Sequence, residues 1–259
     1  MSPAAAIVRR HDPDRFLTAL FAPPERREIL MTLYAFNHEL ARAREVVSEP
    51  MLALIRLQWW REVVEGASPR HEIAEPLGTA LARGELARAD LLEMIEGREV
   101  EAEPAISTLA DWRAYLLATA GGLAVAAGRL LGAPHPEALR PLGAAYGVAG
   151  VLRGIPTLAR HRRSLLPADV LATHGLSPEA AIADPLGTAM HGVTKELAGE
   201  GQRFLAQGRK RAVPRTALAA ALPAVLARRD LARPWPEVAR ERGVADRLTV
   251  TWAGLSGRV

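Results

Sequence analysis

Three observations predict an all-α fold for this chain of 259 residues. Apolar residues return at three- and four-residue steps through most of it, the mark of helices with one buried face. No stretch alternates with period two for long enough to make a strand. Acid–proline pairs stand where helices would begin, as at Glu75-Pro76 and Asp184-Pro185.

In chain order the periodicity predicts helices near 14–21, 25–47 and 49–66. Then come 76–83, opened by Glu75-Pro76, and 86–102. The 107–132 helix is the best marked: Leu109, Trp112, Leu116, Ala120, Leu123, Ala127 and Leu130 lie along one face. Helices near 136–160 and 168–174 follow, then 185–207, opened by Asp184-Pro185, and finally 214–230 and 236–254. The pentapeptide PLGTA occurs at 76–80 and again at 185–189, but its flanks differ, so shared helix-start chemistry explains it more simply than duplication. No Gly-, Ser- or Pro-rich linker divides the chain, and 1–259 reads as a single domain.

Composition narrows the function classes. Apolar residues make up 49%, too many for a disordered chain, and the absence of cysteine excludes disulfides and thiol chemistry. The start, MSPAAAIVRR, lacks a secretory pattern. The longest uncharged run, between Arg113 and Arg129, holds 15 residues. As a helix it spans about 22 Å, short of a bilayer's apolar layer, so no transmembrane span is expected. Of 33 basic residues only Lys195 and Lys210 are lysines, which with 49 alanines looks partly like codon bias. Residues 1–130 carry 15 basic and 19 acidic side chains, net −4, against 18 and 10 over 131–259, net +8. This split points to an anionic partner on the C-terminal side, or to solvated helix faces.

Most catalytic signatures are missing. The seven histidines never fall at the one-turn spacing of a zinc helix, and no phosphate loop or nucleophile elbow is present. The unusual segment is 138–168, which has no acid in 31 residues but holds Arg140, Arg153, Arg160, Arg162 and Arg163. Within it Gly143, Gly147, Gly150 and Gly154 form one helical stripe, each costing up to about 1 kcal/mol relative to alanine. Either a neighbouring helix approaches closely or the stripe faces a cavity. Arg153 shares a helix with Leu142, Tyr146 and Ala149, so its guanidinium is expected to be partly buried, with an acid, carbonyls or an anionic ligand as partner.

DRFLTALFAPPERREILMTLYAFNHEL at 14–40, IRLQWWREVVEG at 55–66, AGGLAVAAGRLLG at 120–132 and YGVAGVLRGIPTLARHRRSLLPADVLATHGLS at 146–177 resemble the squalene and phytoene synthase family. The resemblance is strongest over 14–177. It implies the isoprenoid synthase fold, a helical bundle around a central cavity. Active members hold Mg²⁺ on two aspartate-rich motifs that grip a prenyl diphosphate. In this chain the leading aspartate of the first motif falls on Ala41, and only Glu45 keeps an acid. The asparagine and acids of the second fall on Gly150, Gly154, Thr157 and Leu158, while the spacing from Arg153 to Pro167 is kept. A serine pair near the diphosphate falls on Pro13 and Arg15. The strings AFNHELARAREVVSE, RLQWWREVVE and LRGIPTLARHRRSLLPADVLATHG are most similar to the branch of complex I assembly factor 6 type, in its bacterial version.

That resemblance implies a non-catalytic factor aiding respiratory complex I assembly, without cofactor, cytoplasmic and in peripheral contact with the inner membrane face. Its partner would be a respiratory complex subunit or a lipid-like or anionic ligand. The candidate cavity or anion-patch residues are Tyr34, His38, Glu45, Tyr146, Arg153, Arg160, Arg162 and Arg163. The alternative is a prenyltransferase of isoprenoid biosynthesis with a divergent Mg²⁺ site. A nucleic-acid binder is not expected, because only 12 aromatic residues exist and none interleave with the arginines.

Overall fold

The computed structural model describes residues 1–45, 47, 49–210, 213–233 and 242–258. Among them there is no strand; one isolated bridge joins Ile106 to Pro167. The helices are α1 Pro3–His11, α2 Pro13–Ala19, α3 Pro24–Arg42, α4 Pro50–Glu65, α5 Ala74–Ala82, α6 Arg88–Glu99, α7 Leu109–Leu116 and α8 Gly122–Leu130. They continue as α9 Arg140–Arg160, α10 Ala168–Thr173, α11 Pro178–Ala183, α12 Met190–Gly208, α13 Leu218–Ala221, α14 Pro223–Leu231 and α15 Val244–Ser256.

Caps start several of them. Ser2 accepts from the Ala5 amide at 3.1 Å, Asp12 from Arg15 at 3.0 Å and Thr108 from Asp111 at 3.1 Å, each satisfying a first-turn N–H. The expected 107–132 helix is α7 and α8 joined by one wide turn, Leu117–Gly121. That turn leaves the Leu117 carbonyl free to accept from Arg140 Nη1 at 3.0 Å.

Helix α9 lies at the centre, packed against α8, α12 and α14. The glycine stripe splits in two. A Cβ on Gly143 would stand 2.6 Å from that of Ala124, and one on Gly147 2.8 Å from that of Ala120, so these two glycines admit the α7–α8 backbone. Gly150 and Gly154 face open space or only Leu158. The stretch Pro136–Arg160 is long and apolar enough to cross a bilayer by composition, but 56% of its apolar window is buried in the bundle.

Several boundaries differ from expectation. Helix α1 and helix α11 were not foreseen; α1 buries Ala4, Ala5 and Val8. Pro76 sits inside the first turn of α5, not at its first position. Pro185 begins no helix: residues 185–189 form turns and α12 starts at Met190. PLGTA is therefore helical at 76–80, where Leu77 is buried, and a turn at 185–189, where Leu186 is 40% exposed. Burial, not the pentapeptide, selects the helix. The 25–47 helix stops at Arg42, and 214–230 is broken at Pro223. Residues 236–241 of the last expected helix lie outside the described residues.

Candidate functional site

Helix α2 carries Asp14 and Arg15 into the middle of the bundle, between α3 and α9. Its start is set by Asp12, whose carboxylate caps the helix and also pairs with Arg15 Nη1 at 2.7 Å. The Arg15 guanidinium lies 4.7 Å from the Tyr146 ring centroid and 5.8 Å from that of Tyr34, within cation–π reach of both. Burial, followed by the carboxylates of Asp12 and Asp14, pushes the Tyr146 hydroxyl well above its ordinary value. Burial does the same for Tyr34, so both phenols stay protonated. The space left between Arg15, Tyr34, Leu123, Leu142, Tyr146 and Ala220 is about 10 Å³. That is room for a single water at most.

Beside it lies a lattice of paired charges. Asp14, 7% exposed, accepts from Tyr146 Oη at 3.0 Å and from Arg242 Nε at 2.9 Å, and Arg153 Nη1 lies at 3.4 Å. Asp230 is fully buried and accepts from Arg242 Nη1 and Nη2 at 2.7 and 2.8 Å. Arg153 reaches it at 3.5 Å and Arg233 at 3.6 Å. Each buried carboxylate is thus gripped by guanidinium groups, which offsets its desolvation.

Of the residues singled out from sequence, Tyr34, Tyr146 and Arg153 meet here around α2. The others do not. His38 stacks on His11 with ring centroids 4.5 Å apart, and its Nε2 is buried without a partner. Glu45 is exposed past the end of α3. Arg160 and Arg162 are exposed, whereas Arg163 turns inward to Glu101 at 3.6 Å. Glu101 also accepts from Arg98 at 2.6 Å and from the Tyr115 hydroxyl at 2.7 Å.

Part of the C-terminal charge excess is therefore spent internally on acids from the other half. Arg140 pairs with Glu93 at 2.6 Å, Arg153 and Arg242 with Asp14, and Arg163 with Glu101. Sequence reasoning missed Asp14, Asp230 and Arg242. Asp14 and Asp230 are joined through Arg242, 228 and 12 positions away, and no local spacing announces such a pair. Trp60 is in the core, while Trp59 lines a groove of about 490 Å³ with Leu54, Ile55, Gln58, Glu62 and Glu99.

The Mg²⁺ implied by the resemblance requires several oxygen ligands in octahedral array. Ala41 and Leu158 supply no oxygen ligand, Gly150 and Gly154 only helical backbone, Thr157 one exposed hydroxyl, and Glu45 one exposed carboxylate. Asp14 and Asp230, the acids that do face the centre, are committed to arginines. Among the described residues no group of three or more His, Cys, Asp or Glu is placed to hold a metal. The donor set does not fit the ion.

The squalene/phytoene synthase family model matches residues 8–234. Complex I assembly factor 6 of Mus musculus is 29% identical over 229 residues, covering 85% of this chain and 69% of that protein. The crystal structure of a dehydrosqualene synthase in complex with ligand superposes with a TM-score of 0.76 at 15% identity, over 98% of this chain and 94% of that one. The squalene synthase HpnC from Alicyclobacillus acidocaldarius gives 0.72 at 19% identity, over 88% and 90%. These two share the isoprenoid synthase fold with it. This chain belongs to the squalene/phytoene synthase family.

Proposed function

We propose that this protein is a non-catalytic member of its family that aids assembly of respiratory complex I. The observation that carries the reading is the double grip of Arg242 on Asp230 and Asp14. It fills the middle of the bundle with neutralised charge where an ionising diphosphate would need free carboxylates and metal. Removing one transition-state stabiliser costs about 100- to 1000-fold in rate, and here nearly the whole set is absent. The likeness to assembly factor 6 supplies the role. The protein would act without cofactor, in the cytoplasm of a bacterium and at the inner face of its membrane, on a subunit of the complex.

The test is a strain lacking the chain. Complex I content on native gels and NADH oxidation by membranes should both fall, and the wild-type chain should restore them. Unchanged values would overturn the assembly role. In parallel, the purified protein with Mg²⁺ and farnesyl or geranylgeranyl diphosphate should release no diphosphate above blank; release would favour the prenyltransferase alternative.

A further inference from the structure

We propose that the outward face of α15 is a docking surface for an anionic lipid bilayer. The helix is apolar on two opposite sides. Asp246, Val250 and Ala253 face the bundle and are buried. Val244, Leu248, Trp252 and Leu255 are 74%, 63%, 72% and 68% exposed. At 3.6 residues per turn these four fall within an arc of about 80°, on the far side from the buried three. A tryptophan and three aliphatic side chains in one stripe form a patch that the described residues do not cover.

The charges around the stripe identify its occupant. The one acid of α15, Asp246, is turned inward and held by Arg229 at 2.8 Å and Arg233 at 3.4 Å. Arg247 and Arg258 are exposed on and just beyond the helix, and exposed Arg215 lies against Gly257 at its end. At the same helix Phe21 packs against Gly254. Apolar groups with arginines, and without outward acids among the described residues of α15, match a surface of lipid phosphates over acyl chains, with the indole at headgroup depth. A second copy of the chain fits less well, since a symmetric pair would bring the same arginines together. The inference rests on the membrane-facing location proposed above but not on the assembly role.

The experiment is flotation of the full-length protein with vesicles of phosphatidylcholine alone or mixed with phosphatidylglycerol. The wild type should float with the mixed vesicles, with a blue shift of tryptophan emission, and less so at high salt. Leu248→Glu and Trp252→Glu should each weaken binding about tenfold or more, because an apolar side chain is no longer buried. Their thermal melts should match the wild type, because both sites are exposed. Trp252→Phe should keep binding and lose the emission shift. Arg247→Glu with Arg258→Glu should remove the preference for the anionic vesicles. Three results would overturn the proposal: no flotation of the wild type, undiminished flotation of the two Glu variants, or a dimer by light scattering that Trp252→Glu dissolves. Vesicle binding is read without complex I, so it can fail while the assembly role stands, and the reverse.

Discussion

Arg242 holds Asp230 through two parallel hydrogen bonds of 2.7 and 2.8 Å while its Nε lies 2.9 Å from Asp14. One guanidinium thereby joins the segment before α15 to the end of α14 and the start of α2. Replacing it with methionine leaves two buried carboxylates short of their main partner. The expected loss is about 3 kcal/mol of unfolding free energy, because breaking a buried pair exposes its desolvation cost. The urea midpoint should fall with little change in slope. Arg242→Lys should recover only part, since the three donors of an ammonium sit on one nitrogen and cannot reproduce the planar fork that meets Asp230 side-on while Nε reaches Asp14.

The fold was legible because helices with one buried face write their period into the sequence. The 107–132 pattern predicted both α7 and α8, although not the wide turn at Leu117–Gly121. Tyr146 and Arg153 were legible as central because they share a helix with Leu142 and Ala149. Asp230 was not: it follows two arginines at the end of α14 and reads as a solvated charge run. Its burial depends on Arg242, which stands 12 positions further along the chain. His38 sits on the same helix as Tyr34 yet points to α1, an element the sequence pattern did not reveal.

The divided glycine stripe makes opposite predictions along one helix. Gly143→Ala and Gly147→Ala should each destabilise the protein by about 1–3 kcal/mol, because the first methyl group runs into the Ala120 carbonyl oxygen and meets Ala124 at 2.6 Å, and the second meets Ala120 at 2.8 Å. Gly150→Ala meets nothing within 4 Å and should stabilise it by about 0.5–1 kcal/mol through helix propensity. Thermal melts of the three variants check the sign at each site.

Burial, reinforced by the neighbouring His11 and Arg42 and opposed by Glu39 and Asp12, holds His38 below its ordinary 6.5. The unfolded chain therefore takes up this proton first as pH falls. Stability from this group is complete above about pH 6.5 and declines as pH drops toward the folded value. Stability curves taken between pH 8 and pH 5 (about neutral to mildly acid) should show the decline, and His38→Phe should flatten it. A second decline belongs at lower pH. Glu200 lies below its ordinary 4.5: burial opposes this, but hydrogen bonds from Arg113 and Arg203 outweigh it. Its contribution is lost as pH falls through that depressed value, and Glu200→Gln should remove that step.

Arg162 has φ 54°, the only non-glycine among the described residues in the left-handed region, just after α9 ends. Its amide donates to the Ala159 carbonyl at 2.9 Å, so the turn is closed by backbone and not by its exposed side chain. A Cβ in this conformation costs about 1–2 kcal/mol, which glycine avoids. Arg162→Gly should therefore raise stability by up to about 1 kcal/mol after the added flexibility of the unfolded chain is counted. Arg160→Ala, exposed and bonded among the described residues to Thr157 at 3.2 Å, should leave stability unchanged. Neighbouring Arg163→Ala should lower it, since Glu101 loses one of its two cations in a site only 5% exposed. If Arg162→Gly melts higher yet fails to restore complex I in the deletion strain, the guanidinium is kept for a partner at a cost in stability. Full restoration would remove Arg162 from the anion patch.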